Sequence, residues 1–132
     1  MTHPRITGDK LNPQQAARLL GRILQGQAWE CWPWLGSVAP NGYGCIVWRV
    51  AGLQVRYTPH RLALELFTGR AIPDGLEVDH VCCNPLCCNP SHLEAVTRAE
   101  NLRRRDRRRG RSIRDHRRNL AHLAAIQGEL GL

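Results

Sequence analysis

The segment around residues 79–101 contains residue types that could activate water and bind metal ions. Asp79 and His80 are adjacent, and Asn101 follows Asp79 by 22 positions. Histidine titrates near neutral pH, so His80 can accept a proton from water at physiological pH. A carboxylate and an amide oxygen form a sparse set of hard ligands, which suits a Mg²⁺ ion that keeps several waters. The pattern predicts water activation beside a bound phosphate.

Each of these residues also has a purely structural interpretation. His80 could be a buried histidine that is hydrogen-bonded to a backbone carbonyl, and Asn101 could be an exposed polar residue on a helix. On a regular strand, the side chains of Asp79 and His80 would point to opposite faces. Both would reach one site only if the end of the strand is distorted.

The loop that follows His80 has the ligand spacing of a zinc site. Cys82, Cys87 and His92 follow one another at intervals of five residues. With one distant ligand, they would make a closed tetrahedral site of three sulfurs and one nitrogen. Cys31, in a tryptophan-rich turn, is the best distant candidate.

Three further cysteines leave the ligand set open. Cys83 and Cys88 have the same mutual spacing as the preceding pair, so spacing alone does not decide the register, and a disulfide is an alternative. Cys45 lies in an apolar stretch and is interpreted as a small buried hydrophobe.

The first ten residues have no apolar signal region, and no stretch is long enough to cross a bilayer. A reducing cytoplasm without a membrane partner is therefore expected, and there clustered cysteines favour metal binding.

The net charge of +8 lies in one block. Between Arg98 and Arg118, 11 arginines stand against three acidic residues, which accounts for the whole excess. Such a block attracts nucleic acid, because neutralised phosphates release counterions. A solvated charged helix that only keeps the protein soluble is the alternative. The predicted nucleic-acid contacts are Arg98, Arg103, Arg104, Arg105, Arg107, Arg108, Arg109 and Arg111, with His60 and Arg61 at a helix start, a pair that could equally be a plain surface feature.

Short elements are predicted to position these residues. Residues 1–11 are interpreted as a disordered leader, and Asn12-Pro13 is a good helix start, with Gly26 as its end. Alternation of apolar and polar residues predicts a β-hairpin, and two short strands around the cysteine loop precede a capping-box start. After the N-terminal helix, the predicted elements are a hairpin over 43–50 and 53–58, a helix from Pro59, strands over 76–80 and 92–96, a helix from about Arg98, and a looser helix over 111–128.

Several spaced motifs between Cys31 and about Arg105 together resemble the HNH endonuclease superfamily, especially its small zinc-supported phage and mobile-element members. The motifs are Cys-Trp-x-Trp-x-Gly (31–36), Gly-Tyr-Gly (42–44), His-Arg-Leu-Ala (60–63), Asp-His-x-Cys (79–82), Cys-x-Asn-Pro-x-His-Leu (87–93) and Thr-x-x-x-Asn (97–101).

The resemblance implies an α+β fold. Its ββα-metal core would be stabilised by a structural zinc, preceded by the β-hairpin and flanked by helices. The nuclease domain would cover residues 29–109, between an N-terminal leader and helix (1–28) and an arginine-rich C-terminal helix or tail (110–132). The setting would be the cytoplasm of a bacterial or phage-infected cell.

The resemblance also implies roles for individual residues. His80 would be the general base, and Asp79 and Asn101 would hold a catalytic Mg²⁺ or Mn²⁺ ion. Asn89 resembles the middle asparagine of the motif, which would support the geometry around His80. The structural zinc would be held by Cys31, Cys82, Cys87 and His92.

The implied reaction is hydrolysis of double-stranded DNA to 5′-phosphate and 3′-hydroxyl ends, with the helix of the ββα unit against the minor groove. One core cuts one strand, so nicking by a monomer and double-strand cleavage by a homodimer both stay open. A non-catalytic, zinc-stabilised DNA-binding module is the alternative function. That alternative explains the cysteines and the arginines but leaves the Asp-His and Asn pattern to chance.

Overall fold

A computed structural model describes residues 5–110 of the chain. Residues up to Val96 belong to one compact unit, and residues from Thr97 onward belong to a second. The first unit contains helices α1 (Pro13–Leu20) and α2 (Pro59–Thr68) and two small two-stranded sheets, with short 3-10 turns at Gly8–Lys10 and Pro90–His92. This arrangement confirms the α+β class.

The predicted β-hairpin is present. Strands β1 (Ile46–Val50) and β2 (Leu53–Tyr57) pair antiparallel. Ala51 and Gly52 connect them with φ angles of 51° and 79°, which match a two-residue type I′ turn. Ile46, Trp48 and Tyr57 are buried, and they form a core cluster with side chains of both helices.

Helix α1 starts as predicted but ends earlier. The Asn12 side chain accepts a hydrogen bond from the Gln15 backbone N–H (2.8 Å), and the Gln15 side chain accepts one from the Asn12 backbone N–H (3.0 Å). This capping box satisfies two of the orphan donors of the first turn. The helix ends at Leu20 rather than near Gly26, because Ile23 leaves the helix to form a β-bridge with Trp34. Leu19 is fully buried, so α1 packs on the core of its own chain.

The described part of the expected leader, residues 5–11, is ordered, which corrects that prediction. The Gly8 N–H donates to the buried carboxylate of Glu65 on α2 (3.2 Å), and the Ile6 N–H donates to the Tyr57 hydroxyl (3.0 Å). A Cβ on Gly8 would overlap the carbonyl oxygen of Leu62, so only glycine allows this close approach. Residues 5–11 have no periodic pattern of apolar residues, so the sequence did not indicate that they pack in this way.

The two strands around the cysteine loop form the second sheet. Strands β3 (Leu76–His80) and β4 (Leu93–Thr97) pair, and the Val81 N–H donates to the His92 carbonyl (2.9 Å) at their end. Leu64, Ile72 and Leu93 form a second small core cluster beneath this region.

A helix over residues 98–110, here α3, begins in the second unit directly after β4. The Thr97 hydroxyl accepts a hydrogen bond from the Glu100 N–H (3.1 Å), which is the N-cap half of the predicted capping box. The predicted helix over 111–128, most of the arginine-rich tail and Arg111 lie outside the described residues. Within residues 5–110, no helix is both long enough and apolar enough to span a bilayer.

Candidate metal centre and active site

Four residues from three parts of the chain converge on one point. The sulfur and nitrogen atoms of Cys31, Cys82, Cys87 and His92 all lie within 4.8 Å of one another. His92 Nδ1 is 3.7 Å from Cys31 Sγ and 3.5 Å from Cys87 Sγ. In tetrahedral zinc sites, bonds of about 2.3 Å to sulfur and about 2.0 Å to nitrogen separate neighbouring ligand atoms by about 3.6–3.8 Å. The donor chemistry and these distances fit a Cys₃His zinc ion.

Backbone pairing brings the distant ligand to the loop. The Trp34 N–H donates to the Leu86 carbonyl, and the Cys88 N–H donates to the Trp32 carbonyl, both at 2.8 Å. This short ladder aligns residues 31–34 with residues 86–88 and places Cys31 beside Cys87. The tryptophan-rich turn therefore serves both the hydrophobic core and the metal centre.

The same pairing explains which cysteines face the cluster. Successive side chains of an extended segment point to opposite sides. Cys87 points to the metal centre, whereas Cys88 is 1% exposed and packs in the core cluster. Cys83 sits at a left-handed position (φ 60°) and is exposed, and all six cysteines are free thiols. The geometry thus favours the first of the two possible registers, and Cys45 stays outside the cluster.

The thiols of Cys82 and Cys87 resist ionisation when no cation is bound. Burial raises the pKa of Cys82 to about 12, against a smaller opposite effect of the Asn84 backbone N–H, and burial also raises the pKa of Cys87. A bound cation reverses this preference, because a coordinating thiol is deprotonated outright. Metal binding here would therefore release protons.

Asn89 is fully buried and joins the loop to the segment that precedes Cys31. Its Nδ2 donates to the carbonyls of Ala28 (2.8 Å) and Glu30 (2.7 Å), and its Oδ1 accepts from the Ser91 N–H (2.9 Å). The sequence predicted support for the geometry around His80. The observed hydrogen bonds hold the segments of the metal centre together, and a role of Asn89 in the geometry around His80 stays a prediction.

His80 lies at the end of β3 and is 6% exposed. Its Nε2 is 3.1 Å from the Cys87 carbonyl oxygen. A carbonyl can only accept, so Nε2 carries the ring proton of the neutral imidazole and Nδ1 is the acceptor nitrogen. His80 is therefore a buried histidine that is hydrogen-bonded to a backbone carbonyl, as the structural interpretation of the sequence expected. In this tautomer, Nδ1 can accept a proton. Because Cys87 also faces the metal centre, one residue connects His80 to that centre.

The two hard-ligand candidates lie in different units. Asp79 is 5% exposed and its neighbour His80 is 6% exposed. Because neighbouring side chains of a strand point to opposite faces, both faces of the strand end are covered. Asn101 is half-buried in the first turn of α3. Their joint role as ligands of a divalent ion stays a prediction.

Two aromatic side chains surround His80. The ring centroid of His60 is 4.4 Å from that of His80, and the Tyr43 ring is 5.6 Å from His60 and 5.9 Å from His80. Burial, together with the nearby His80 and Arg61, lowers the pKa of His60 to about 3, and its buried Nδ1 has no hydrogen-bond partner. This burial argues against the predicted contact between His60 and nucleic acid. The sequence did not indicate the three-ring cluster, although both of its outer rings lie in motifs.

Arg61 has a structural contact that its motif did not indicate. Its Nη1 donates to the Leu76 carbonyl (3.1 Å), which ties the first turn of α2 to the start of β3. The strand that carries Asp79 and His80 is thereby held to α2. A contact between Arg61 and nucleic acid stays a prediction.

The predicted arginines of α3 are arranged around one carboxylate. Glu100 accepts hydrogen bonds from Arg103 Nε (3.0 Å), Arg104 Nε (3.1 Å) and Arg107 Nη2 (3.1 Å). These bonds lower the pKa of Glu100 to about 2, so it stays ionised at all but strongly acidic pH. The other predicted arginines of the helix are Arg98, Arg105 and Arg109, which are exposed, and Arg108, which is half-buried.

Residues 57–103 match the family model described as HNH endonuclease. This segment contains α2, both strands of the second sheet, the cysteine loop and the start of α3. The chain therefore carries an HNH-family segment, and the resemblance indicated by its motifs is confirmed.

Curated relatives are phage proteins. "Protein 2.8" of Escherichia phage T7 is 42% identical over 71 residues, which cover 54% of this chain and 45% of the relative. "Protein 7.7" of the same phage is 42% identical over 72 residues, covering 54% and 52%, and the "Uncharacterized gene 5.3 protein" of Enterobacteria phage T3 is 42% identical over 43 residues, covering 33% and 42%. The chain spans about half the length of the curated relatives it matches. No solved structure matches it significantly.

Proposed function

We propose that the protein is a divalent-metal-dependent DNA endonuclease in which His80 is the general base. The observation that carries this proposal is the hydrogen bond between His80 Nε2 and the Cys87 carbonyl, next to the Cys₃His cluster. With Nε2 committed as a donor, Nδ1 is the nitrogen that takes the proton of the attacking water. The Cys87 carbonyl then stabilises the imidazolium that forms, because it faces the N–H of the charged ring.

Zinc on the Cys₃His cluster would have a structural role. Its four ligands leave no open position, which is typical of structural rather than catalytic zinc. The ion would hold the loop that carries the Cys87 carbonyl, and so would fix the position of the base.

Asp79 and Asn101 are the proposed holders of Mg²⁺ or Mn²⁺, on the strength of the family motif. They offer a carboxylate and an amide oxygen, the hard donors that such ions prefer. When bound, the ion supplies charge stabilisation on the phosphate and the leaving 3′-oxygen, which is consistent with 5′-phosphate and 3′-hydroxyl products.

The proposed substrate is double-stranded DNA. Arginines of α3 supply positive charge directly after the strand pair, and in a ββα-metal core this helix would lie against the minor groove. The proposed nuclease domain keeps the range 29–109, with the tail 110–132 as an additional phosphate contact. Because the relatives are phage proteins, we place this activity in the cytoplasm of infected bacteria.

Incubation of the purified protein with supercoiled plasmid, with and without Mg²⁺ or Mn²⁺, tests the proposal. A nuclease converts the plasmid to nicked or linear forms only in the presence of the ion. The products should accept ligation only when they carry 5′-phosphate ends. Binding without cleavage under all ionic conditions would instead favour the non-catalytic zinc-stabilised DNA-binding module.

Replacing Asp79 or Asn101 with alanine should raise the concentration of Mg²⁺ that gives half-maximal cleavage. Each substitution removes one protein ligand from a sparse site, so a loss of about 10-fold or more in activity at fixed Mg²⁺ is expected. The measurement is the cleavage rate over a Mg²⁺ titration, with Leu102→Ala as an exposed control from the same helix as Asn101. An unchanged titration for Asn101→Ala would remove this residue from the ion site.

Substituting arginines of α3 should weaken DNA binding and reduce its salt dependence. Each lost phosphate contact should lower the slope of log affinity against log salt by about one unit. We would measure affinity at several salt concentrations for the parent, for a variant with Arg103, Arg104, Arg107 and Arg108 changed to glutamine, and for a deletion of residues 111–132. Arg49→Gln and Arg56→Gln on the hairpin serve as charge controls. Parallel lines for parent and α3 variant would show that these arginines do not touch DNA.

A further inference from the structure

Glu100 is a carboxylate among the arginines that are proposed to contact DNA. Its Oε2 accepts a hydrogen bond from Arg103 Nε (3.0 Å), and its Oε1 accepts hydrogen bonds from Arg104 Nε and Arg107 Nη2 (both 3.1 Å). Helix α3 contains seven arginines and two acidic residues. By its charge alone, a carboxylate in a surface that binds phosphates weakens binding. The arrangement of these four side chains indicates a role that offsets this repulsion.

The spacing of the four residues places them on one face of the helix. Residues three, four and seven positions after Glu100 lie above it along α3, so one carboxylate can reach all three arginines. Long side chains that would otherwise move independently are thereby held together. The same spacing also stabilises helices in general, which is the alternative role of Glu100.

The arginines are more exposed than the carboxylate that holds them. The side chains of Arg103 and Arg107 are 63% and 60% exposed, whereas that of Glu100 is 28% exposed. A bond at Nε occupies one edge of the Arg103 guanidinium, and the two Nη groups at its end form the fork that binds a phosphate with parallel hydrogen bonds. A phosphate that approaches α3 therefore meets guanidinium groups before it meets the carboxylate.

We propose that Glu100 is a positioning residue that holds these three arginines ready to bind backbone phosphates of DNA. Glu100 itself does not touch the phosphate. The inference rests on the part of the proposed function in which α3 contacts DNA, and not on cleavage.

The magnitudes of the two opposing effects favour this role. Ordering a long, flexible side chain at an interface lowers affinity roughly 2- to 12-fold for each side chain. Repulsion between Glu100 and a phosphate about 6 Å away, across a guanidinium, lowers affinity by about threefold in water, and salt screens it further. Two arginines that are ordered in advance already outweigh the repulsion. The bonds from the three arginines also lower the pKa of Glu100 to about 2, so the carboxylate stays ionised near neutral pH.

Two substitutions in α3 remove the same single negative charge. Glu100→Gln removes the charge that holds the arginines, and Asp106→Asn removes an exposed charge of the same helix. Glu100→Asp keeps the charge but shortens the side chain by one methylene, so it no longer reaches all three arginines. The affinity of each full-length, zinc-loaded protein is measured for a fluorescent double-stranded oligonucleotide at several salt concentrations without Mg²⁺.

We expect Glu100→Gln to lower DNA affinity about 10-fold and Glu100→Asp to lower it by at least about threefold. Plots of log affinity against log salt should stay parallel to that of the parent, because the number of phosphate contacts is unchanged. Asp106→Asn should raise affinity by up to about threefold, because it removes repulsion alone. A Glu100→Gln protein that gains affinity as Asp106→Asn does would overturn the proposal.

Thr97→Ala tests the alternative in which Glu100 only stabilises the helix. It removes the N-cap bond to the Glu100 N–H but leaves the carboxylate and the arginines in place. Circular dichroism measures the helix content of each variant, and affinity for Thr97→Ala should stay within about threefold of the parent. A Thr97→Ala protein that loses as much affinity as Glu100→Gln would show that fraying of the helix explains the effect, and the proposal would be wrong.

NMR signals of the Arg103 and Arg104 Nε–H groups report the bonds to Glu100 directly. In the free parent these protons should exchange slowly with water, and in Glu100→Gln they should exchange faster. Fast exchange in both proteins would mean that Glu100 does not hold the arginines, which overturns the proposal.

Failure of this inference is distinct from failure of the nuclease proposal. A parent protein that binds DNA without cutting it contradicts the nuclease proposal, while the affinities of the Glu100 variants still decide the positioning role. If the variant with four arginines of α3 changed to glutamine binds DNA as the parent does, the positioning role is overturned and cleavage is judged by the plasmid assay alone.

Discussion

His80→Ala is expected to lower the rate of DNA cleavage by about 10²- to 10⁴-fold, which is the range that a positioned general base contributes. The loss should appear in kcat, because the base acts in the transition state and contributes little to binding. The measurement is the cleavage rate of saturated enzyme with Mg²⁺, together with DNA affinity measured without the ion. Affinity should stay within about threefold of the parent value.

Val81→Ala is the matched control for this experiment. Val81 is the next residue along the chain and is 46% exposed, so its truncation tests the effect of a local change that leaves the base in place. Both variants should retain zinc, since the carbonyl that binds His80 belongs to the backbone of Cys87. A His80→Ala protein that cuts at close to the parent rate would end the assignment of the base.

The second large effect concerns the metal centre. The purified protein should contain about one zinc per chain, and Cys82→Ser should lose this zinc and much of its stability. Structural zinc contributes roughly 10–16 kcal/mol of apparent binding free energy near neutral pH, and this energy is available only to the folded state. Elemental analysis and thermal unfolding, each with and without a chelator, measure the two losses. Cys87→Ser should behave in the same way.

Cys83→Ser provides the control, because it changes the neighbouring residue by the same single atom. Cys83 is exposed and lies outside the four-residue cluster. We expect this variant to keep its zinc and to unfold within a few degrees of the parent. Zinc that survives Cys82→Ser but is lost in Cys83→Ser would reverse the register of the ligands.

Local signals in the sequence predicted most of the elements of the fold. Proline at the first helical position, capping boxes and alternation over short strands act within a few residues of one another. They placed the hairpin, α2 and both strands of the second sheet close to their observed bounds. They failed where long-range packing overrides them. Ile23 leaves α1 for a bridge to Trp34, and residues 5–11 are ordered by the buried carboxylate of Glu65.

The candidate site also has a part that the sequence predicted and a part that it could not decide. Motif spacing alone singled out Asp79, His80 and Asn101, and the family match over residues 57–103 agrees with the motifs around them. Spacing could not choose between the pairs Cys82/Cys87 and Cys83/Cys88, because the two pairs have identical separations. It also suggested a DNA contact for His60, whose burial argues against one.

The sequence by itself determined the inventory of this protein: a base candidate beside a carboxylate, thiols with metal-ligand spacing, and one block of arginines. These are properties of residue type and local order, which can be read without a fold. The tertiary structure decided which atoms meet. Pairing of residues 31–34 with residues 86–88 turned Cys87 toward the metal centre and Cys88 into the core, and the Cys87 carbonyl selected the tautomer of His80. Such choices depend on contacts between segments far apart in the chain, and no local pattern encodes them.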